Sequence, residues 1–341
     1  MKLNNRKPET SLRGKVVVIT GASAGVGRAT VREFAKYGTK IGLLARGKEG
    51  LNGAQKDAEA LGSQALAIPT DVADALQVEE AAQRIEQELG PIDIWVNNAM
   101  NSVFSPFKEV TPEEFKRVTE VTYLGQVYGT MAALKRMLPC NQGSIVLVGS
   151  ALAYRGIPLQ SAYCGAKHGI EGFYDSLRAE LMHDKSEVKV TMVQLPALNT
   201  TQFSWVKSRL PNKARPMGTI FQPEVAAQAI VFAATNDRRE VFVGYPTVQT
   251  ILGNKIAPWF ADWVLARNGY KGQQTDEPLP PNRQDNLWEP VPGDHGAHGE
   301  FNQQAHNFSW QLWATENRDS LVIGALTAAA TWLGISWFRS R

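Results

Sequence analysis

In the stretch SAYCGAKHG, Tyr163 and Lys167 stand four positions apart. On a helix that spacing puts a phenol and an ammonium on one face, with Cβ atoms about 5–6 Å apart. A free phenol titrates at about 10 and is a poor base at neutral pH; a neighbouring cation favours the phenolate and lowers that value. A phenol brought nearer to the working pH both gives and takes a proton, which interconversion of an alcohol and a carbonyl requires. Alone, the pair also fits a helix-surface contact, so its meaning depends on the elements around it. Cys164, beside the tyrosine, has no second thiol or nearby base and reads as a small buried filler.

Those elements alternate. KVVVIT, KIGLLA, QALAIP, IDIWVNN, GSIVLVGS, VKVTMVQL and EVFVG are short apolar runs, most of them β-branched. Segments with helical spacing, such as VGRATVREFAKYG and VEEAAQRIEQELG, lie between most of them. Strands apolar throughout and separated by helices predict an α/β fold with a doubly wound parallel sheet, covered on both faces. Such sheets hold ligands at the carboxyl ends of their strands. One domain is expected over residues 12–245.

TGASAGVG follows the first strand and opens the first long helix. Gly21, Gly25 and Gly27, with Ser23 and Val26 among them, suit a sharp turn and a pyrophosphate at a helix N-terminus. The alternative is a plain strand–helix turn; the strand–turn–helix context favours the nucleotide reading. The second strand ends in LLAR, where a carboxylate would accept the ribose hydroxyls of NAD. Arg46 stands there instead, with Lys48 near, and an arginine pairs with a 2′-phosphate; this favours NADP(H). Asp71 and Val72 follow the third strand. They can meet the adenine, or Asp71 can cap the helix starting near Asp74.

With TGASAGVG, NNAM after the fourth strand, Ser150 after the fifth, and Tyr163-Cys164-Gly165-Ala166-Lys167, residues 12–245 resemble a short-chain dehydrogenase/reductase. The resemblance implies a Rossmann-type sheet of about seven parallel strands and nicotinamide-dependent hydride transfer. It makes Tyr163 the general acid/base and gives Lys167 the nicotinamide ribose. Ser150 becomes a donor to the substrate oxygen. Asn98 and Ala99 would line the cofactor channel, and Pro196 and Thr201 would lie at the carboxamide. A homo-oligomer is also implied.

Three positions depart from that pattern. VTYLG carries Thr122 where the family has an asparagine that supports a water chain to the lysine; its hydroxyl can carry that relay, which makes Thr122 a candidate catalytic residue. Met100 and Ala197 replace glycines. In the reductive direction, a hydride passes from the cofactor to the carbonyl carbon while Tyr163 protonates the developing alkoxide and Ser150 donates to the same oxygen. LAYRGIPLQ and the loop from Leu198 to Phe221 are expected to flank the substrate. Ile157, Pro158, Leu159, Phe203 and Trp205 there suit an apolar or bulky alcohol or ketone, and equally suit ordinary loop packing.

Beyond residue 245 the texture changes. Residues 246–270 read as packed helix, and 271–304 as a Pro/Gly-rich, partly ordered linker with no core of its own. Residues 305–341 begin with a short aromatic helix, FSWQLWATEN. In 320–338, SLVIGALTAAATWLGISWF runs nineteen positions without a charge before Arg339 and Arg341. A bilayer-spanning helix needs about twenty such residues, so a membrane anchor is expected, the alternative being a helix lying on a membrane or a partner. His295, His298 and His306 sit in this polar region, but flexible loops collect such residues without holding metal, and no metal is assigned.

The 341 residues include 43% hydrophobic and 20% charged residues, with a net charge of +3. No basic run suits a nucleic-acid backbone. Two cysteines make no disulfide framework, and the polar MKLNNRKPETSLRG lacks the apolar core of a leader. The expected protein is an NADP(H)-dependent oxidoreductase acting on a small-molecule alcohol or carbonyl, its catalytic domain in the cytoplasm and its C-terminus at a membrane. The competing reading, prompted by Thr122 and Met100, is a non-catalytic NADP-binding sensor or scaffold.

Overall fold

A computed structural model describes residues 12–323 and 332. Seven strands, β1 (Val16–Thr20), β2 (Lys40–Ala45), β3 (Gln64–Pro69), β4 (Ile92–Asn97), β5 (Ser144–Val148), β6 (Lys189–Gln194) and β7 (Glu240–Phe242), form one parallel sheet in the order 3-2-1-4-5-6-7. This is the Rossmann-type sheet that the apolar runs predict.

Alternate residues of each strand feed two cores. Val17 and Ile19 of β1 pack with α1 (Gly25–Ala35), α2 (Lys48–Ala60) and Val225 and Ile230 of the helix Pro223–Thr235. Val16 and Val18 pack on the opposite face, with α3 (Ala75–Leu89) and the helices Gly125–Cys140 and Ser161–His183. Every residue of β1 is buried, and each fully buried valine or isoleucine contributes about 1.5–3 kcal/mol.

The parallel register brings the strand ends to one edge, which delivers Gly21, Arg46, Asp71, Asn98, Ser150 and Pro196 together. The order reverses between β1 and β4, where such sheets form their ligand crevice. Asn98 ties that point shut. Its amide N–H donates to the Thr20 hydroxyl at 2.9 Å, and its side-chain amide donates to the Thr20 carbonyl at 2.9 Å. Asp74, not Asp71, caps α3, accepting from the Leu76 and Gln77 amides.

After β7 come helices Tyr245–Ile256 and Pro258–Gly272, and then Gln274–Pro278, which pairs antiparallel with Asn212–Ala214. The segment expected to be a loosely held linker is extended but bound along its length. It borrows buried surface from the first domain: Leu287 is fully buried against Val103, Val118 and Ala162. Ala305–His306 then pairs with Ile220–Phe221. The stretch 320–338 lies almost wholly outside the described residues. Among the described residues, no helix is long and apolar enough to cross a membrane.

Candidate active site

The strand ends and the segments after them enclose a cleft of about 730 Å³. At one end, α1 begins without a side-chain cap and without an acidic residue in its first turn. Apart from the Gly25 amide, which the Gly296 carbonyl occupies, its N-terminal amides are open to an anion. Gly21 and Gly25 have φ of +67° and +56°. A Cβ on Gly27 would stand 2.0 Å from the Gly21 carbonyl oxygen and 2.7 Å from the Asn98 amide nitrogen. The turn thus needs glycine on steric grounds. Gly21, Ser23, Gly25 and Val26 line the cleft, while Gly27 lies behind it.

Arg46 lines the cleft too, and the C-terminal extension holds it. Its guanidinium donates to the Trp288 and Asn286 carbonyls, each at 2.5 Å. Burial, and then the charge of Arg117, push its pKa below the ordinary arginine value. Arg117 donates to Asp71 at 2.6 Å and to the Leu287 carbonyl at 3.2 Å. Asp71 is therefore an ion-pair partner at the cleft edge, where Val72 also lies. Lys48 is exposed and does not line the cleft.

The extension continues along the cleft as a strap. Gly293 donates to Glu49, and Asp294 pairs with the buried Arg28 at 3.0 Å. The Gly25 amide donates to the Gly296 carbonyl at 3.1 Å, and Gly299 reaches the Asn199 carbonyl. Sequence reasoning missed Arg28, Arg117 and the strap. Arg28 directly follows the glycine motif, which was a usable signal; the strap's composition offered none.

At the other end stand the groups that can do chemistry. Ser150 follows β5. Its hydroxyl oxygen accepts from the Leu152 amide at 3.1 Å, and the hydroxyl also bonds the Tyr163 phenol. Its own amide donates to Gln194 Oε1 at 2.8 Å. Gln194 in turn donates to Glu171 and Glu240, and the Tyr154 hydroxyl donates to Glu240 at 2.5 Å and lies 3.0 Å from Glu171. This half-buried network fixes the backbone of Ser150, and sequence pattern gives no hint of it.

Tyr163 and Lys167 share one face of Ser161–His183, as their spacing predicts, with the Lys167 Nζ 5.6 Å from the tyrosine ring centroid. The electrostatics differ from the expected picture. Burial pushes the phenol above its ordinary value, and the Ser150 hydrogen bond pulls against that. Burial also drives Lys167 down to about 7, and its Nζ donates to the Val148 carbonyl at 2.6 Å. Desolvation governs the phenol here, and the Lys167 ammonium, bonded to the Val148 carbonyl, does not offset it. Burial pushes the Cys164 thiol up to about 11, as suits an inert filler.

Thr122 sits fully buried in the π turn Glu120–Leu124. Its hydroxyl accepts from the Asn101 amide and donates to the Asn101 carbonyl, so its one proton is spent away from Lys167. It does not line the cleft, whereas Asn98, Ala99, Met100, Pro196, Ala197 and Thr201 do. At the substrate end, Ile157, Phe203 and Trp205 line the cleft as expected, but Pro158 and Leu159 do not. Leu159 is buried beside Phe104 and Val206, and Pro158 packs toward Gly269. Their places are taken by Phe104, Phe260, Val264 and Leu265, three of them from beyond residue 245. The histidines separate: His295 meets Trp205 edge-on, His298 pairs with Glu224, and His306 lies near Phe221.

The model of the short chain dehydrogenase family matches residues 15–209. An uncharacterized oxidoreductase, YxnA, of Bacillus subtilis (strain 168) is 32% identical over 289 residues, 83% of this chain and 80% of that protein. A 3-dehydrosphinganine reductase of Danio rerio is 33% identical over 233 residues, covering 64% of this chain and 68% of its own length. Among solved structures, a metagenomic short-chain oxidoreductase in complex with NADP superposes with a TM-score of 0.58 at 25% identity, covering 68% of this chain and 98% of that one. The matched span carries the glycine turn, Arg46, Ser150, Tyr163 and Lys167, and on these grounds the chain belongs to the short-chain dehydrogenase/reductase family.

Proposed function

We propose that the protein is an NADP(H)-dependent oxidoreductase that interconverts an apolar alcohol and its ketone or aldehyde, with Tyr163 as general acid and base. One observation carries this reading: Ser150, Tyr163 and Lys167 converge on the same cleft that the uncapped start of α1 and Arg46 enter. Bound NADPH supplies the hydride for the carbonyl carbon. The buried phenol stays protonated at neutral pH and can donate that proton to the forming alkoxide. The Ser150 hydroxyl, oriented by the Leu152 amide on a backbone that Gln194 fixes, donates to the same oxygen. Lys167, poised at about 7, suits the ribose hydroxyls. Thr201 and Pro196 border the carboxamide end. The NADP-bound short-chain oxidoreductase and the 3-dehydrosphinganine reductase among the similar proteins support the oxidoreductase reading.

The residues fit a 2′-phosphate. Arginine has five donors, and the strap engages only part of them, fixing the guanidinium at the cleft wall. Arg46→Ala is expected to weaken NADPH by roughly 10- to 100-fold, the loss of a charge-assisted pair, while NADH binding stays unchanged. Titration of both dinucleotides checks this; an equal loss for the two would show that Arg46 acts through the strap alone. Asp294→Asn, which loosens the strap at its half-exposed ion pair with Arg28, is expected to weaken NADPH only ~2- to 5-fold and to leave turnover at saturation intact.

We take residues 12–245 as the unit that carries the catalytic groups and place it at the cytoplasmic face of a membrane through the C-terminal residues, on the strength of the uncharged 320–338. NADPH oxidation against a panel of carbonyl compounds tests the activity. Cofactor binding with no turnover on any of them would favour the sensor or scaffold.

A further inference from the structure

The helix Pro258–Gly272 spans 15 residues, and only Gly269 is buried. Trp259 is 71% exposed and Ile256, just before it, 82%. Phe260, Trp263 and Leu252 are also exposed. These rings pack on each other: Phe260 stacks on Trp263 at 5.8 Å, and the Arg267 guanidinium lies 3.9 Å over the same indole. A helix this short gains its stability from packing an apolar face, and here the outer face has nothing of the described chain against it.

The same helices form a wall of the cleft. Phe260, Ala261, Val264 and Leu265 line it, so Phe260 is both cleft wall and exposed surface. The apolar surface therefore reaches the mouth of the substrate end. Three features identify what covers it. The exposed residues are rich in tryptophan, the side chain that settles at a bilayer interface. The flanking charges are mostly basic, Lys255, Arg267 and Lys271, and the one acid between them, Asp262, is already paired with Arg155. Finally, Tyr245 at the start of this region stacks on Trp310 at 5.9 Å, which leads into exposed Leu321, Val322 and Ile323 and on into the uncharged stretch. One amphipathic surface binds a membrane weakly, and a second apolar element makes the attachment stable.

We propose that the outer face of helices Tyr245–Ile256 and Pro258–Gly272 docks on a lipid bilayer, so that the cleft takes its alcohol or carbonyl substrate directly from the lipid phase. The docking stands on the surface itself; the substrate class rests on the oxidoreductase reading above. Residues 258–272 then work as an interfacial collar whose inner side is the substrate wall, and the substrate class is an apolar, bilayer-dissolved alcohol, ketone or aldehyde rather than a water-soluble one.

The test uses the full chain, a variant carrying Ile256→Asn, Trp259→Gln and Trp263→Gln, and vesicles of phosphatidylcholine with a minor share of phosphatidylglycerol. None of the three residues lines the cleft. Flotation should carry the wild type with the vesicles and recover far less of the variant. Bromine-labelled lipid should quench tryptophan emission more in the wild type than in the variant. Turnover of a long-chain aldehyde held in vesicles should fall in the variant, while turnover of a short soluble aldehyde stays level. Equal flotation and equal quenching of the two proteins would overturn the docking and leave attachment to residues 324–341 alone. Conversion of a wild-type dimer to a monomer in the variant, without any vesicle binding, would overturn it in favour of a second copy. If vesicle binding follows the expected pattern but no aldehyde is turned over, the docking stands and the oxidoreductase reading fails.

Discussion

Tyr163→Phe is expected to bind NADPH as the wild type does and to lose turnover by roughly 10²- to 10⁴-fold, the usual share of a positioned acid. The ring packs against Val103, Val118, Ala162 and Leu287, and phenylalanine preserves that packing. Only the hydroxyl is lost, and with it the proton donor that burial keeps protonated. Ser150 remains and still offers a hydrogen bond to the oxygen, so some residual activity is expected. Steady-state rates and NADPH titration together decide the matter. A variant that keeps a tenth or more of the wild-type rate would assign the proton to another group.

Lys167→Met should lower kcat/KM by about 10²-fold and also change how stability depends on pH. The ammonium is buried and drops from an ordinary 10.5 to about 7. Between those two values the unfolded chain binds one more proton at this position than the folded protein does. Wild-type stability therefore gains from this group as pH rises through the window, by at most about 1.4 kcal/mol per pH unit, and loses it as pH falls toward 7. Methionine has no such proton, so the difference in unfolding free energy between the two proteins should shift in favour of the wild type from pH 7 to 10. A difference that stays flat across that range would mean that the lysine remains charged in the fold.

Much of the site was legible because local rules fix it. Apolar runs between helical segments require a covered parallel sheet, and that sheet brings Gly21, Asn98, Ser150 and Pro196 to one edge. The four-residue spacing of Tyr163 and Lys167 needs only a helix to become a shared face. Other features were hidden because they depend on contacts distant in sequence. Leu287 and Asp294 sit in a stretch whose composition signals a free linker, yet their partners Val103, Val118 and Arg28 belong to the first domain. The same dependence decided the substrate wall, where Leu159 turns into a buried cluster and residues beyond 245 fill the gap. The pKa of Tyr163 was misjudged for a related reason: spacing reveals the cation, whereas desolvation depends on the whole fold.

The most direct test is a single turnover with NADPH carrying deuterium at both C4 positions of the nicotinamide, followed by mass spectrometry of the alcohol formed. The expected result is deuterium on the carbinol carbon, appearing at a rate that drops sharply in Tyr163→Phe while the bound cofactor is retained. Alcohol without deuterium, or labelled alcohol formed equally fast by Tyr163→Phe, would contradict hydride transfer governed by this tyrosine.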